Sequence, residues 1–156
     1  MASQWPANIL WVSQATTGTG AHTIKGFSIA SNLLTMTITS ASGLSLPHGL
    51  AVSGNTLYVA NSGDGKILSF NATTGAPTGQ VISGLTSPNG IAVYGSSLFV
   101  TGGDGTVKGF DASNGYSALA GFTTITGLTA PYGIVVHSIP EIDVTGLGVS
   151  IPDGAV

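Results

Sequence analysis

Three positions in this chain combine hydrogen-bonding side chains with a regular setting. His48, Asn89 and Tyr132 each stand between a proline and a glycine, in Pro47-His48-Gly49, Pro88-Asn89-Gly90 and Pro131-Tyr132-Gly133. An imidazole, a carboxamide and a phenol offer both donors and acceptors, and only the imidazole changes charge near neutral pH. Such a set suits a neutral ligand held by hydrogen bonds better than it suits bond cleavage. A site that varies among polar and aromatic types while its neighbours stay fixed within the chain is a candidate ligand-contacting ring. The same variation also fits a tolerant exposed loop.

Other chemistry is sparse. The three histidines (His22, His48, His137) and six acids form no HExxH, GxSxG or Walker A pattern, and no zinc-ligand spacing occurs. No catalytic residue, metal site or cofactor is therefore expected. Asp64-Gly65 and Asp104-Gly105 occupy matching places, where the Asp can bond its own backbone and the Gly can take positive φ, so these four residues are expected to be structural turns. Asp111 matches Asn71 just before another glycine-containing turn, and the same Asx bonding is expected there. Asn71-Ala72-Thr73 also matches a glycosylation acceptor, but an ordinary turn is the simpler reading. Lys25, Lys66 and Lys108 are expected to be solvated strand residues rather than a phosphate site.

Only three Lys and six Asp or Glu occur among 156 residues, so no basic face exists for nucleic acid. Apolar runs are short and broken by Gly, Ser, Thr and Asn, which argues against membrane insertion. With no cysteine, neither disulfides nor a thiolate nucleophile is available. The opening Met1-Ala2-Ser3-Gln4-Trp5-Pro6 has neither the charged nor the apolar region of a signal peptide. The polar, nearly uncharged composition nevertheless fits an extracellular or cell-surface protein.

These residues are positioned by an internal repeat. Residues 43–75 read GLSLPHGLAVSGNTLYVANSGDGKILSFNATTG, and residues 84–115 read GLTSPNGIAVYGSSLFVTGGDGTVKGFDASNG. Pro47, Pro88 and Pro131 lie 41 and 43 residues apart, a spacing expected of propeller blades. Within each unit, runs such as Leu50-Ala51-Val52, Leu57-Tyr58-Val59-Ala60 and Ile67-Leu68-Ser69-Phe70 alternate with turn residues. That pattern predicts short antiparallel strands and essentially no helix. Trp11, Tyr58 and Phe99 take equivalent places in the LWV, LYV and LFV runs and are expected in the core. The fold expected is all-β, a β-propeller of four-stranded blades.

The pattern Pro-x-Gly-Ile/Leu-Ala/Val-Val, then Leu-Tyr/Phe-Val, then a Gly-Asp-Gly turn before an aromatic, resembles NHL-type propeller repeats. Tyr58-Val59-Ala60-Asn61 also resembles the YVTN variant known from bacterial secreted and surface proteins. The resemblance covers roughly residues 7–137 and implies a fold rather than a chemistry, because its members include binding modules, cell-surface proteins and some enzymes.

Three blades' worth of strands are expected. The first blade is circularly permuted, with 7–42 supplying three strands and 127–137 the fourth, while 43–83 and 84–126 form whole blades. Closed propellers usually have four to eight blades. Dimerisation by strand exchange would give six, a longer parent chain would supply the rest, and head-to-tail stacking would give a fibre. Residues 138–156 form a tail with apolar residues at 142, 144, 147, 149 and 151, which could be an assembly strand. It also resembles the opening of an immunoglobulin-like repeat that follows propellers in bacterial surface proteins. Two functions follow. One is a non-enzymatic binding or assembly module, partnered by itself and by a protein, peptide or glycan. The alternative is a metal-dependent hydrolase fragment resembling gluconolactonase-type enzymes.

Overall fold

A computed structural model describes residues 8–16 and 22–138. The expected tail beyond Ser138 lies outside the described residues. The chain is all-β, and its one described helical element is a single 3-10 turn at Ser40–Ser42. Sheet one comprises β1 (Ile9–Gln14), β2 (Thr23–Ser28) and β3 (Leu34–Ile38), in that order and antiparallel. Sheet two comprises β4 (Pro47–Ser53), β5 (Thr56–Asn61), β6 (Lys66–Asn71) and β7 (Pro77–Ile82). Sheet three repeats it with β8 (Pro88–Tyr94), β9 (Ser97–Gly102), β10 (Val107–Asp111) and the short β11 (Ser117–Ala118).

Within each sheet every strand is followed by its hydrogen-bonded neighbour, as hairpin turns require. β4 and β5 are joined by Gly54-Asn55, in which Gly54 alone takes positive φ (55°). Gly95-Ser96 repeats this in sheet three, with Gly95 at 57°. A glycine at the first central position is the requirement of a type II′ turn. The Asp-Gly turns are longer. Asn61 pairs directly with Lys66 around a four-residue connection, and Gly65 alone turns left-handed there, at φ 69°.

Sheet two is buried on both faces, because the two-residue period sends alternate side chains opposite ways. Leu57, Val59, Leu68 and Phe70 meet Ile24 and Ile38 of sheet one, with Trp11 packed alongside. Tyr58, Ala60, Ile67 and Ile82 meet Ile91, Leu98 and Val100 of sheet three. This is the face-to-face stacking of propeller blades. Tyr58 is 6% exposed, and the Tyr116 ring covers it edge-on, with 6.2 Å between centroids. Phe99 is only half-buried and lies against Phe122 on the far face of sheet three, at 5.2 Å.

Residues 131–137 do not form a strand, although they repeat the sequence of β4 and β8. A strand is defined by ladder bonds to a neighbour, and among the described residues this segment has no neighbour on which to make them. β1, where that neighbour belongs by sequence, lies at the opposite end of the array, beyond sheets two and three. Sheet one accordingly has three strands.

Candidate functional site

The Pro-x-Gly tripeptides are placed by one local device, used three times. Leu46, Ser87 and Ala130, the residues before the three prolines, adopt left-handed φ values of 48°, 41° and 44°. Side chains other than glycine visit this region uncommonly, so tertiary contacts must hold it. Those contacts are visible. The Leu46 carbonyl accepts from Ser62 N at 3.1 Å, and the Ser87 carbonyl accepts from Gly103 N at 3.0 Å. The Leu46 N–H donates to His22 Nδ1 at 3.1 Å.

Just past Pro47 and Pro88 the strand is bulged, since the β4–β5 and β8–β9 registers shift between Pro47 and Leu50 and between Pro88 and Ile91. A bulge re-aims side chains, and here it turns residues 48 and 89 toward the next inner strand. Close approach is possible because residue three of the motif is glycine. A side chain on Gly49 would strike the Asn89 carbonyl, and one on Gly90 would strike the Tyr132 carbonyl. The freed Gly90 N–H is satisfied by Thr101 Oγ1 at 2.7 Å.

His48, Asn89 and Tyr132 are thereby brought side by side. His48 Nδ1 lies 3.0 Å from Asn89 Oδ1, and Asn89 Nδ2 donates to the Pro131 carbonyl at 3.3 Å. Pro131 offers only an acceptor there, so the amide nitrogen must face it and Oδ1 must face His48. The proton of the neutral imidazole then sits on Nδ1, and Nε2 is left as an acceptor. On the other flank, Ser13 Oγ donates to the His48 carbonyl at 2.6 Å. The Tyr132 ring stands 6.4 Å from the imidazole at an interplanar angle of 46°.

Exposure separates their roles. Asn89 is 7% exposed and both ends of its amide are engaged, so it is a strut that orients His48. Tyr132 is 66% exposed, and His48 is partly so. The surface offered is one imidazole acceptor beside one phenol. Among the described residues no three His, Asp or Glu side chains come together, so this donor set does not match the carboxylate-rich shell of Ca²⁺ or a three-ligand Zn²⁺ site.

The turn acids serve their own loops. Asp64 accepts from Asn61 Nδ2 at 2.7 Å and pairs with Lys66 at 3.0 Å. Asp104 accepts from Thr106 Oγ1 at 2.6 Å and lies 3.7 Å from Lys108. The Thr106 hydroxyl, more than Lys108, holds its carboxyl below the ordinary range. Asp111 bonds the Ser113 hydroxyl and N–H at 2.6 and 2.9 Å, which lowers its pKa in the same way. Asn71 Oδ1 accepts from the N–H groups of Thr73 and Thr74, both at 2.9 Å, closing an Asx turn over the glycosylation-like tripeptide.

Asn61 was legible only as the last letter of a motif. It is fully buried, accepts from Ser45 N at 2.8 Å, and donates to the Gly43 carbonyl at 3.1 Å as well as to Asp64. It ties the entry loop of its blade to the β5–β6 turn. A separate cavity of about 560 Å³ opens between sheets one and two, lined by Trp11, Met36, Asn55 and Thr73 among others. In the next seam the Tyr58–Tyr116 pair stands, whereas the repeat has Ala76 in the place of Tyr116.

No family model matches the chain, and no curated protein is similar to it. Solved structures are. The computationally designed Ika8 protein superposes with a TM-score of 0.62 at 18% identity, over 86% of this chain and 39% of its own. Apo AztD from Citrobacter koseri gives 0.55 at 16% identity, with the same shares of 86% and 39%. Both have propeller-type folds. The class of protein is thus an all-β, propeller-like array of antiparallel blades, and this chain spans about two fifths of the length of those structures.

Proposed function

We propose that the protein is a non-enzymatic binding module of the NHL/YVTN propeller type, working outside the cell or on its surface. His48, Asn89 and Tyr132 stand where the inner strands begin, the mouth of a propeller's axial channel, and this mouth takes a neutral hydrogen-bonding group from a glycan, peptide or protein. The observation that carries this reading is the Asn89 amide. Locked between the Pro131 carbonyl and His48, it leaves His48 Nε2 as a directed acceptor beside the exposed Tyr132 phenol. A preorganised acceptor next to an aromatic face suits a hydroxyl or amide donor carried on an apolar ring or chain. No described helix is long and apolar enough to cross a membrane.

The test is a binding screen over glycan and peptide arrays with the unaltered chain, His48→Ala and Tyr132→Phe. Binding that falls at least tenfold in His48→Ala supports the reading. Lactone hydrolysis that requires added Ca²⁺ or Zn²⁺ and disappears in His48→Ala would overturn it in favour of the lactonase-like alternative.

A further inference from the structure

The three sheets bury the faces they share, but among the described residues the two ends of the array are apolar and open. At one end Leu10 and Val12 are 54% and 44% exposed, whereas Leu57, Val59, Leu98 and Val100, their repeat equivalents, are 0–2% exposed. Among the described residues β1 has β2 on one side and no strand on the other, although β5 and β9 each have a Pro-x-Gly strand in that place. At the other end the seven residues 131–137, PYGIVVH, repeat PHGLAVS of β4 and PNGIAVY of β8. Val135 and Tyr132 there are 85% and 66% exposed.

The segment is nonetheless set as an inner strand. Ala130 has the left-handed φ of Leu46 and Ser87, and Gly90 lies against the Tyr132 carbonyl as Gly49 lies against that of Asn89. The series breaks only at Gly133, where an added Cβ would meet nothing. A contact made twice in the array is thus prepared a third time and left without its other half. The missing half is present in the chain itself, since the strand beside β1 is β4, whose His48 carbonyl would take the place of the Asn89 and Tyr132 carbonyls.

We propose that residues 131–137 of one copy of this chain add to β1 of a second copy as its inner strand, and reciprocally, so that two chains close one six-bladed ring. The register follows from the repeat. Leu50, Ala51 and Val52 pair with Val59, Tyr58 and Leu57, and Ile91, Ala92 and Val93 pair with Val100, Phe99 and Leu98. Ile134, Val135 and Val136 of one copy therefore pair with Val12, Trp11 and Leu10 of the other. The two-fold arrangement uses the same edge twice and leaves no blade without its inner strand. It covers Leu10 and Val12 with the far face of the other copy's third sheet. It also completes the channel mouth, placing Tyr132 of each copy beside His48 of the other. The assembly stands whether or not the mouth binds a ligand.

Solution mass measured by light scattering over a hundredfold concentration range is expected to give twice the 15.4 kDa chain mass. Gly133→Val is the decisive variant. Its side chain has open space in one chain but would strike the His48 carbonyl in the ring, so single-chain mass with an unchanged strand circular dichroism spectrum is expected. Cysteine pairs give a second readout in this cysteine-free chain. Mixing Leu10→Cys with Val136→Cys, and Ile9→Cys with His137→Cys, is expected to yield an inter-chain disulfide in the pair whose Cβ atoms lie closer. Single-chain mass throughout, mass that keeps growing with concentration as a fibre would, or a two-chain mass untouched by Gly133→Val and without either disulfide overturns the proposal.

Discussion

Replacing Gly65 with alanine, beside Gly54→Ala as its control, separates two reasons for a glycine. Both residues are left-handed, with φ of 69° and 55°. At Gly54 a Cβ would meet nothing, so only backbone strain of about 1–2 kcal/mol opposes alanine. Alanine also restricts the unfolded chain, which offsets about 0.4–1 kcal/mol. The expected net cost there is about 1 kcal/mol. At Gly65 the same Cβ would run into the Leu85 carbonyl, a backbone atom that cannot swing aside. The 84–87 loop must retreat, losing the Leu85 N–H bond to the Gly65 carbonyl, 3.0 Å long, and loosening Leu85 from the second core cluster. A lost backbone bond adds about 0.5–1.5 kcal/mol and the loosened packing a similar amount. Gly65→Ala should therefore cost about 2–4 kcal/mol. Urea unfolding followed by far-ultraviolet circular dichroism at one fixed protein concentration measures both variants, since the proposed assembly would make stability depend on concentration. Equal costs within about 0.3 kcal/mol would show that the Gly65–Leu85 contact does not govern the choice of glycine.

Asn61→Leu should destabilise by about 2–4 kcal/mol in the same assay, because the Ser45 N–H and the Gly43 carbonyl lose their buried partner. Tyr58, whose pKa burial and the Tyr116 hydroxyl push up to about 12, keeps its proton in the folded state after the unfolded chain has begun to lose it. Its contribution is whole below pH 10 and disappears as pH rises from about 10 to 12. Tyr58→Phe should flatten that part of a stability–pH profile measured by urea titration. Leu57→Ala should cost about 2–5 kcal/mol through a core cavity. Leu10→Ala, at the exposed equivalent position, should leave far-ultraviolet circular dichroism unchanged and weaken self-association instead, as read by sedimentation.

Particular residues show where sequence reasoning reached and where it stopped. The proline spacing of 41 and 43 residues and the alternation in Leu57-Tyr58-Val59-Ala60 are properties of the chain alone. They determined the blades, the strand order and the faces, because hairpins with short turns leave one topology open and a period of two leaves one burial pattern. The place of Gly65 and Gly105 was legible because positive φ favours glycine whatever surrounds it. Trp11, Tyr58 and Phe99 share one position by sequence, yet only Tyr58 is deeply buried, since burial depends on which sheet comes next. Asn61 could not be singled out, because a buried amide differs from a surface one only through the Ser45, Gly43 and Asp64 atoms that fold around it.

The channel mouth divides the same way. That His48, Asn89 and Tyr132 occupy one repeat position was written in the chain, since any regular stacking of like units brings equivalent positions to one face of the array. Which of them faces a ligand was decided by tertiary structure. The Asn89 amide is spent between Pro131 and His48, a matter of three strand starts meeting at hydrogen-bond range, and no local pattern carries that distance. Residues 131–137 are the sharpest case. Their sequence prescribes an inner strand, but a strand exists only with a neighbour to bond, and the neighbour of this one lies at the far end of the array, beyond two blades.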